Sequence, residues 1–254
     1  MRARDTVTAA VLLIGDELLS GRTKDINLAH IAERLTDVGI DLREARIVPD
    51  VEDEIVAALD ALRARHDYVF TTGGIGPTHD DITADAVARA FGVGISVSEE
   101  AVAIMRARYE TLELNEARLR MARIPHGGTM IANPVSAAPG FNIGNVYVMA
   151  GVPRIMQAML ENILPTLEHG RPMLSRTVRV DTGEGNLAGP LKAIQARYDT
   201  VSLGSYPFTE NGRFGANIVL RSKDEAALVA AETEVVAMAA ELVAMDLPAP
   251  KAWT

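Results

Sequence analysis

Residues 71–83 read Thr-Thr-Gly-Gly-Ile-Gly-Pro-Thr-His-Asp-Asp-Ile-Thr, and this stretch restricts the fold more than any other part of the chain. A short apolar β run, Tyr68-Val69-Phe70, leads in, and a helix-patterned segment over 84–91 leads out. The order is strand, glycine turn, paired carboxylates, helix. Gly73, Gly74 and Gly76 free the backbone for positive φ and for close approach of a ligand. The helix start presents unpaired N–H groups and a positive dipole end. Together these predict an anion site, most naturally for phosphate. Asp80 and Asp81 would repel a bare phosphate, so they imply a divalent cation between carboxylate and phosphate. A Walker A loop is excluded, because Pro77-Thr78 follows Gly76 in place of Lys-Ser/Thr. A dinucleotide fingerprint is excluded too, because His79 stands where its third glycine belongs. As plain structure, the same turn would join strand to helix with Asp81 or Thr83 as N-cap.

The flanking chain supplies a setting for such a turn. Val7–Ile14 is rich in apolar β formers on both faces, as a strand buried from both sides should be. It ends in Gly15-Asp16-Glu17-Leu18-Leu19-Ser20-Gly21, read as a loop with two carboxylates at a strand's C-terminal end, where open α/β sheets bind ligands. Asp25 is placed to cap a helix with Leu28, Ile31, Ala32 and Leu35 on one face, stopped by Gly39. A second strand is expected over 40–48, then Pro49-Asp50 and a helix over 51–65. Asp50 reads first as the cap of that helix, with Asp53 completing a box-like pattern.

Ser98 is expected to cap a further helix with Ala101, Met105, Tyr109 and Leu112 inward, Met105 as plain core. Arg118, Arg120 and Arg123 read as a solvated helical face, with phosphate steering the lesser option. Residues 124–141 look irregular, and a loop that long is usually functional. Val146–Met149 is the next buried strand, and Pro153 suits the first position of the following helix, which Pro165 should end.

Residues 1–170 therefore predict a three-layer α/β/α domain with a mostly parallel sheet, and 171–254, in the order βαββα, a small α+β domain. The net charge is −9, of which −8 falls in the first 170 residues. That acidity argues against a general nucleic-acid binder, so no nucleic-acid partner is expected. With no cysteine in the chain, disulfides and thiolate-bound zinc are absent. The apolar run over 9–14 is too short for a signal segment or a membrane span, which leads to the expectation of a cytoplasmic protein without a membrane partner.

Several of these motifs resemble one family. Gly15 to Gly21 with Asp25-x-Asn27 is similar to the opening motif of the amino-terminal domain of competence/damage-inducible protein A. Residues 71–83 resemble the signature of that domain and of its wider MoaB/Mog molybdopterin-binding superfamily. Asn133-Pro134-Val135, Ala138-Pro139-Gly140-Phe141 and Gly151-Val152-Pro153 match as well. Gly204-Ser205-Tyr206-Pro207 and the βαββα tail resemble the region that follows the molybdopterin-binding-like domain in eukaryotic FAD synthase, called KH-like in competence proteins. Ala150 stands where the family usually has Pro, and Ser136-Ala137 where it has Gly-Thr.

The resemblance implies a pocket for a pterin or adenine nucleotide. Relatives act as molybdopterin adenylyltransferases or as metal-dependent hydrolases of ADP-ribose or FAD, and dimers and trimers recur among them, so a homo-oligomer is expected. It also implies that Asp50 and Asp81 serve the reaction, promoting Asp50 from cap to site residue. The expected activity is phosphoanhydride hydrolysis of the ADP-ribose or FAD class. The alternatives are a molybdopterin adenylyltransferase of molybdenum cofactor biosynthesis or a binding-only pterin or nucleotide protein. Asp50, Asp81 and Asp16 are the expected catalytic carboxylates, with Asp50 and Asp81 holding a divalent Mg, Mn or Co ion, and molybdopterin is a candidate ligand. Gly74, Gly76 and Thr78 are expected to donate hydrogen bonds to phosphate oxygens, and Glu17 or Asp80 to act as general base. Gly15, Ser20, Thr72, Gly73, Pro77, His79, Asn133, Ser136, Pro139, Gly140, Gly151 and Pro153 complete the expected substrate-binding residues.

Overall fold

The first strand, Val7–Ile14 (β1), sets the layering, because alternate side chains enter two different cores. Val7, Ala9, Val11 and Leu13 pack with Ile31 and Leu35 of Asn27–Asp37 (α2) and with Met156, Met159 and Leu160 of Pro153–Ile163 (α7). Ala10, Leu12 and Ile14 pack on the other side with Ile55, Leu59 and Leu62 of Glu52–Arg63 (α3) and with Val87 of Thr83–Phe91 (α4). A strand covered on both faces by helices gives the expected α/β/α sandwich. This computed structural model describes residues 6–108, 114–210 and 213–245. The expectations for Tyr109, Leu112 and the tail from residue 248 lie outside them.

Besides β1, the central sheet holds Ile40–Val48 (β2), Tyr68–Thr72 (β3), Thr129–Ile131 (β6), Gly140–Ile143 (β7) and Val146–Met149 (β8), in the order β2-β1-β3-β8-β7-β6. The first four strands in that order run parallel, and β7 and β6 add antiparallel partners at one edge. Ile95–Val97 (β4) pairs separately with Arg123–Pro125 (β5). Residues 124–141, expected to be irregular, thus contain strand segments of three or four residues, too short to show a period in sequence. The presumed loop after β1 is likewise a short helix, Asp16–Leu19 (α1).

Local signals explain most boundaries. Both oxygens of Asp25 accept N–H groups at the start of α2, from Asn27 at 3.2 Å and Leu28 at 2.9 Å. Gly39, at φ 74°, ends that region where a side chain would strike the carbonyl of Gly170. Ser98 Oγ accepts the N–H of Ala101 in Glu99–Arg108 (α5), with Ala101 and Met105 fully buried. Asn115 caps Glu116–Arg120 (α6), and Pro153 opens α7. Pro165 then falls in a 3-10 turn, Leu164–Thr166, that closes the helix.

The chain divides into two compact units, residues 1–171 and 172–254. The second holds Leu174–Val180 (β9), Glu184–Gln195 (α8), Ser202–Glu210 (β10), Arg213–Ser222 (β11) and Glu225–Ala244 (α9). Its antiparallel sheet, in the order β10-β11-β9, buries Val180, Ile218 and Leu220 against Leu187, Ile194, Leu228 and Val235 of its two helices.

Candidate functional site

The loop from β3 into α4 is built around glycines that admit no side chain. Gly73 and Gly74 have φ of 104° and 66°. A Cβ on Gly73 would strike the backbone oxygen of Ile14, and one on Gly74 the hydroxyl of Thr83. That hydroxyl donates to the Gly73 carbonyl at 2.9 Å, while the Thr83 N–H donates to the Gly74 carbonyl at 3.0 Å.

Asp81 does not cap α4; the capping position is Ile82, which makes no side-chain bond, and Thr83 lies inside the helix. Asp81 turns back instead. Its Oδ1 accepts the N–H of Gly76 at 2.6 Å, and its Oδ2 accepts the N–H of Thr78 at 2.7 Å and the Thr78 hydroxyl. Gly76 leaves room for that carboxylate, since a Cβ there would sit 2.6 Å from Asp81 Oδ2. The N–H groups of Gly76 and Thr78, expected to meet phosphate, are therefore spent on Asp81. Among the described residues, the N–H groups of Gly74 and Ile75 meet no acceptor, and neither do those of His79 and Ile82.

Asp50 faces this loop from the C-terminal end of β2. It is not the cap of α3: that position is Val51, without a side-chain bond, and Asp53 pairs with Arg89 at 2.7 Å. Asp50 Oδ2 instead accepts the N–H of Asp16 at 3.0 Å. Burial raises the Asp50 pKa above its ordinary value; the Asp16 N–H opposes the shift, and the charges of Asp16, Glu17 and Asp80 add to it. Exposed Asp80 shifts the other way, lowered first by a hydrogen bond from Thr78 and then by its own N–H.

Between these loops lies a cleft of about 510 Å³. Of the expected residues it is lined by Gly15, Glu17, Asp50, Gly73, Gly74, Gly76, Pro77, Asp80, Asp81, Asn133, Ser136 and Gly151. Thr72 and Pro153 line a smaller adjoining cavity of about 70 Å³. Asp16 contributes its N–H to Asp50 and is absent from the cleft lining, as are Thr78 and His79. Ser20 bonds the Glu17 carbonyl, Pro139 sits behind the glycine loop, and Gly140 is buried within β7. Asn133 organises its own turn, donating to Ser136 Oγ and to the Ala138 carbonyl, both at 2.7 Å. In the same turn Ala137 holds a left-handed φ of 64°.

The apolar walls, Ile14, Ile75, Met121, Val152 and Ile155, were not singled out as site residues by sequence. Met121 arrives from the end of α6, which no local motif connects to the glycine loop. Two of the three arginines of this segment, Arg120 and Arg123, are not a solvated face. Arg123 makes a two-pronged pair with Asp85 at 2.8 and 2.7 Å, and Arg120 donates to the carbonyl of Asp81 at 3.1 Å. Among the described residues, no three carboxylates or imidazoles stand close enough together to hold a metal ion by themselves, and no helix is long and apolar enough to cross a membrane.

Comparison with known proteins agrees with this architecture. Residues 172–247 match the family described as FAD synthase, middle domain. A protein of Pyrococcus furiosus is 35% identical over 232 residues, which span 85% of this chain and 91% of that one. A CinA-like protein of Citrifermentans bemidjiense is 45% identical over 165 residues, 62% of this chain and 40% of the relative. The crystal structure of the protein CinA from Thermoplasma acidophilum, titled as of unknown function, superposes with a TM-score of 0.60 at 35% identity, covering 64% of this chain and 99% of that one. Residues 10–169 match the family described as the probable molybdopterin binding domain, and the chain belongs to that family.

Proposed function

We propose that the cleft binds a pterin or adenine nucleotide through its phosphates and that the protein hydrolyses a phosphoanhydride there, of the ADP-ribose or FAD class. One observation carries this reading: a glycine loop with unspent N–H groups and a half-buried, pKa-raised Asp50 face one cleft at the C-terminal ends of parallel strands. Ligands of open α/β sheets bind at that end. The N–H groups of Gly74 and Ile75 bind phosphate oxygens and stabilise charge as it develops. Ile75, Met121, Val152 and Ile155 receive a flat heterocycle and keep water from it.

The reading includes a divalent cation, and the donor set fits one. Asp50 keeps one oxygen clear of the Asp16 N–H, and the neighbouring charges of Asp16, Glu17 and Asp80 disfavour its ionised form, which a cation would relieve. Magnesium-type ions are held by one or two carboxylates together with substrate phosphates, so a complete protein cage is unnecessary. Asp50, with Glu17 or Asp80, would hold the ion. Asp81, with both oxygens engaged in the loop, holds the loop's shape in this reading. When bound, the cation neutralises the diphosphate and makes water a better nucleophile. Glu17 or Asp80 takes the proton from that water, since both carboxylates line the cleft.

The test is AMP release from ADP-ribose and from FAD with Mg²⁺, Mn²⁺ or Co²⁺. AMP from neither substrate with any ion defeats the hydrolase reading. The family's description, a probable molybdopterin binding domain, favours molybdopterin as the ligand, and with it a second reading as a molybdopterin adenylyltransferase. Formation of adenylylated molybdopterin from molybdopterin and ATP, without hydrolysis of ADP-ribose or FAD, would establish it instead.

A further inference from the structure

We infer that Arg120 is a positioning residue that sets the glycine loop from behind, acting through Asp81; its role in ligand affinity rests on the phosphate-binding reading above. The carbonyl of Asp81 lies ahead of α4, whose capping residue Ile82 already supplies the first helical acceptor, to Ala86 at 3.0 Å. Arg120 Nη2 donates to that Asp81 carbonyl at 3.1 Å. The carboxylate of the same residue grips the N–H groups of Gly76 and Thr78. A continuous chain of hydrogen bonds therefore runs from α6 through Asp81 into the loop that lines the cleft.

Two further features mark the segment as part of that loop's support. The Nε atoms of Arg120 and Arg123 are both buried without a partner, an expensive arrangement for charged donors on a merely solvated helix. Both arginines also line a void of about 10 Å³ against Gly74, Ile75 and Gly76. Hydrogen bonding separates the two: Arg123, three residues on, pairs with Asp85 of α4, while Arg120 bonds the Asp81 carbonyl. The two arginines thus separate anchoring of the segment from setting of the loop.

Three full-length variants test this: Arg120→Gln, Arg120→Lys and, as control, Arg123→Gln. Amide hydrogen exchange is read over residues 73–82, and calorimetry measures binding of ADP-ribose and of phosphate-free adenosine. Expected for Arg120→Gln is faster exchange across the loop and about tenfold weaker ADP-ribose binding, as for loss of a charge-assisted hydrogen bond, with adenosine binding unchanged. Arg120→Lys should restore much of both. Arg123→Gln should lower the melting temperature and leave loop exchange and affinity as in the wild type. Unchanged loop exchange in folded Arg120→Gln overturns the inference, as does an equal effect from Arg123→Gln, which would make α6 a general anchor. If wild-type protein does not bind ADP-ribose, the phosphate reading falls, and the exchange measurement decides the role of Arg120 alone.

Discussion

Asp50 Oδ2 accepts the backbone N–H of Asp16 at 3.0 Å, joining the C-terminal ends of β1 and β2 at the cleft edge. The bond favours the ionised carboxylate, yet burial and the charges of Asp16, Glu17 and Asp80 outweigh it, and the pKa is raised. A carboxyl whose folded pKa exceeds its unfolded one contributes stability below the unfolded value and loses it as pH rises through the folded one. At neutral pH the wild type bears that cost. Asp50→Asn keeps an acceptor for Asp16 and removes the charge. Its melting temperature should equal or exceed that of the wild type at pH 7, with the difference shrinking toward pH 3. Turnover should fall by about 100-fold, the scale for a lost electrostatic group. Melts across pH together with AMP release check both parts; a clear loss of stability at pH 7 contradicts the assignment.

The same shift sets an acid limit on cation binding. Protons compete for a raised-pKa carboxylate at higher pH than for an ordinary aspartate. Binding of Mn²⁺ with ADP-ribose, followed by calorimetry, should weaken on acidification before an ordinary carboxylate would protonate. In Asp50→Asn the residual binding should lose this feature.

Asp81 makes a different prediction from a capping residue. At an N-cap, Asn replaces Asp at little cost. Here the carboxylate accepts from Gly76 N, Thr78 N and the Thr78 hydroxyl, and an amide would turn a donor toward donors. Asp81→Asn should therefore destabilise the protein by about 1–2 kcal/mol, lowering the melting temperature by roughly 2–8 °C in a chain of this size. Thermal melts read the difference, and an unchanged melt returns Asp81 to the capping role.

Three small substitutions probe backbone strain, one relieving it and two adding to it. Ala137 holds a left-handed φ of 64°, so Ala137→Gly should relieve strain and, after the added freedom of the unfolded chain, raise stability by about 0.5–1 kcal/mol. Gly73→Ala forces a Cβ onto the Ile14 carbonyl at φ 104°, and a loss of 3 kcal/mol or more is expected, on the order of the severe single-site effects. Gly21→Ala, with φ 71° and open space around it, should cost only about 1 kcal/mol. Denaturant titration of the three variants ranks them; a Gly73 variant as stable as the Gly21 one refutes the close approach.

Features carried by neighbours in sequence were legible before the fold was known. Asp25 two residues ahead of α2, Pro153 at the first position of α7 and the double-faced apolar run of β1 each act over a few residues. What sequence misplaced depends on partners far along the chain. Asp50 looked like the cap of its own helix because Asp16, its actual partner, lies 34 residues away. Arg120 and Arg123 looked solvated because their acceptors lie 39 and 38 residues distant. The glycine loop led to the expectation of an anion site, but not to the finding that Asp81 consumes two of its N–H groups.

Gly39 and Gly170 meet backbone to backbone next to Val7, where β1 and β2 begin. The cleft lies past Ile14, at the other end of β1, about 23 Å along the strand. The polypeptide therefore leaves the α/β unit at its base, from a point pinned by two glycines, while the residues that line the cleft sit at its crown. Within this unit, the strand ends that shape the cleft and the point where the chain leaves it stand at opposite ends of one sheet.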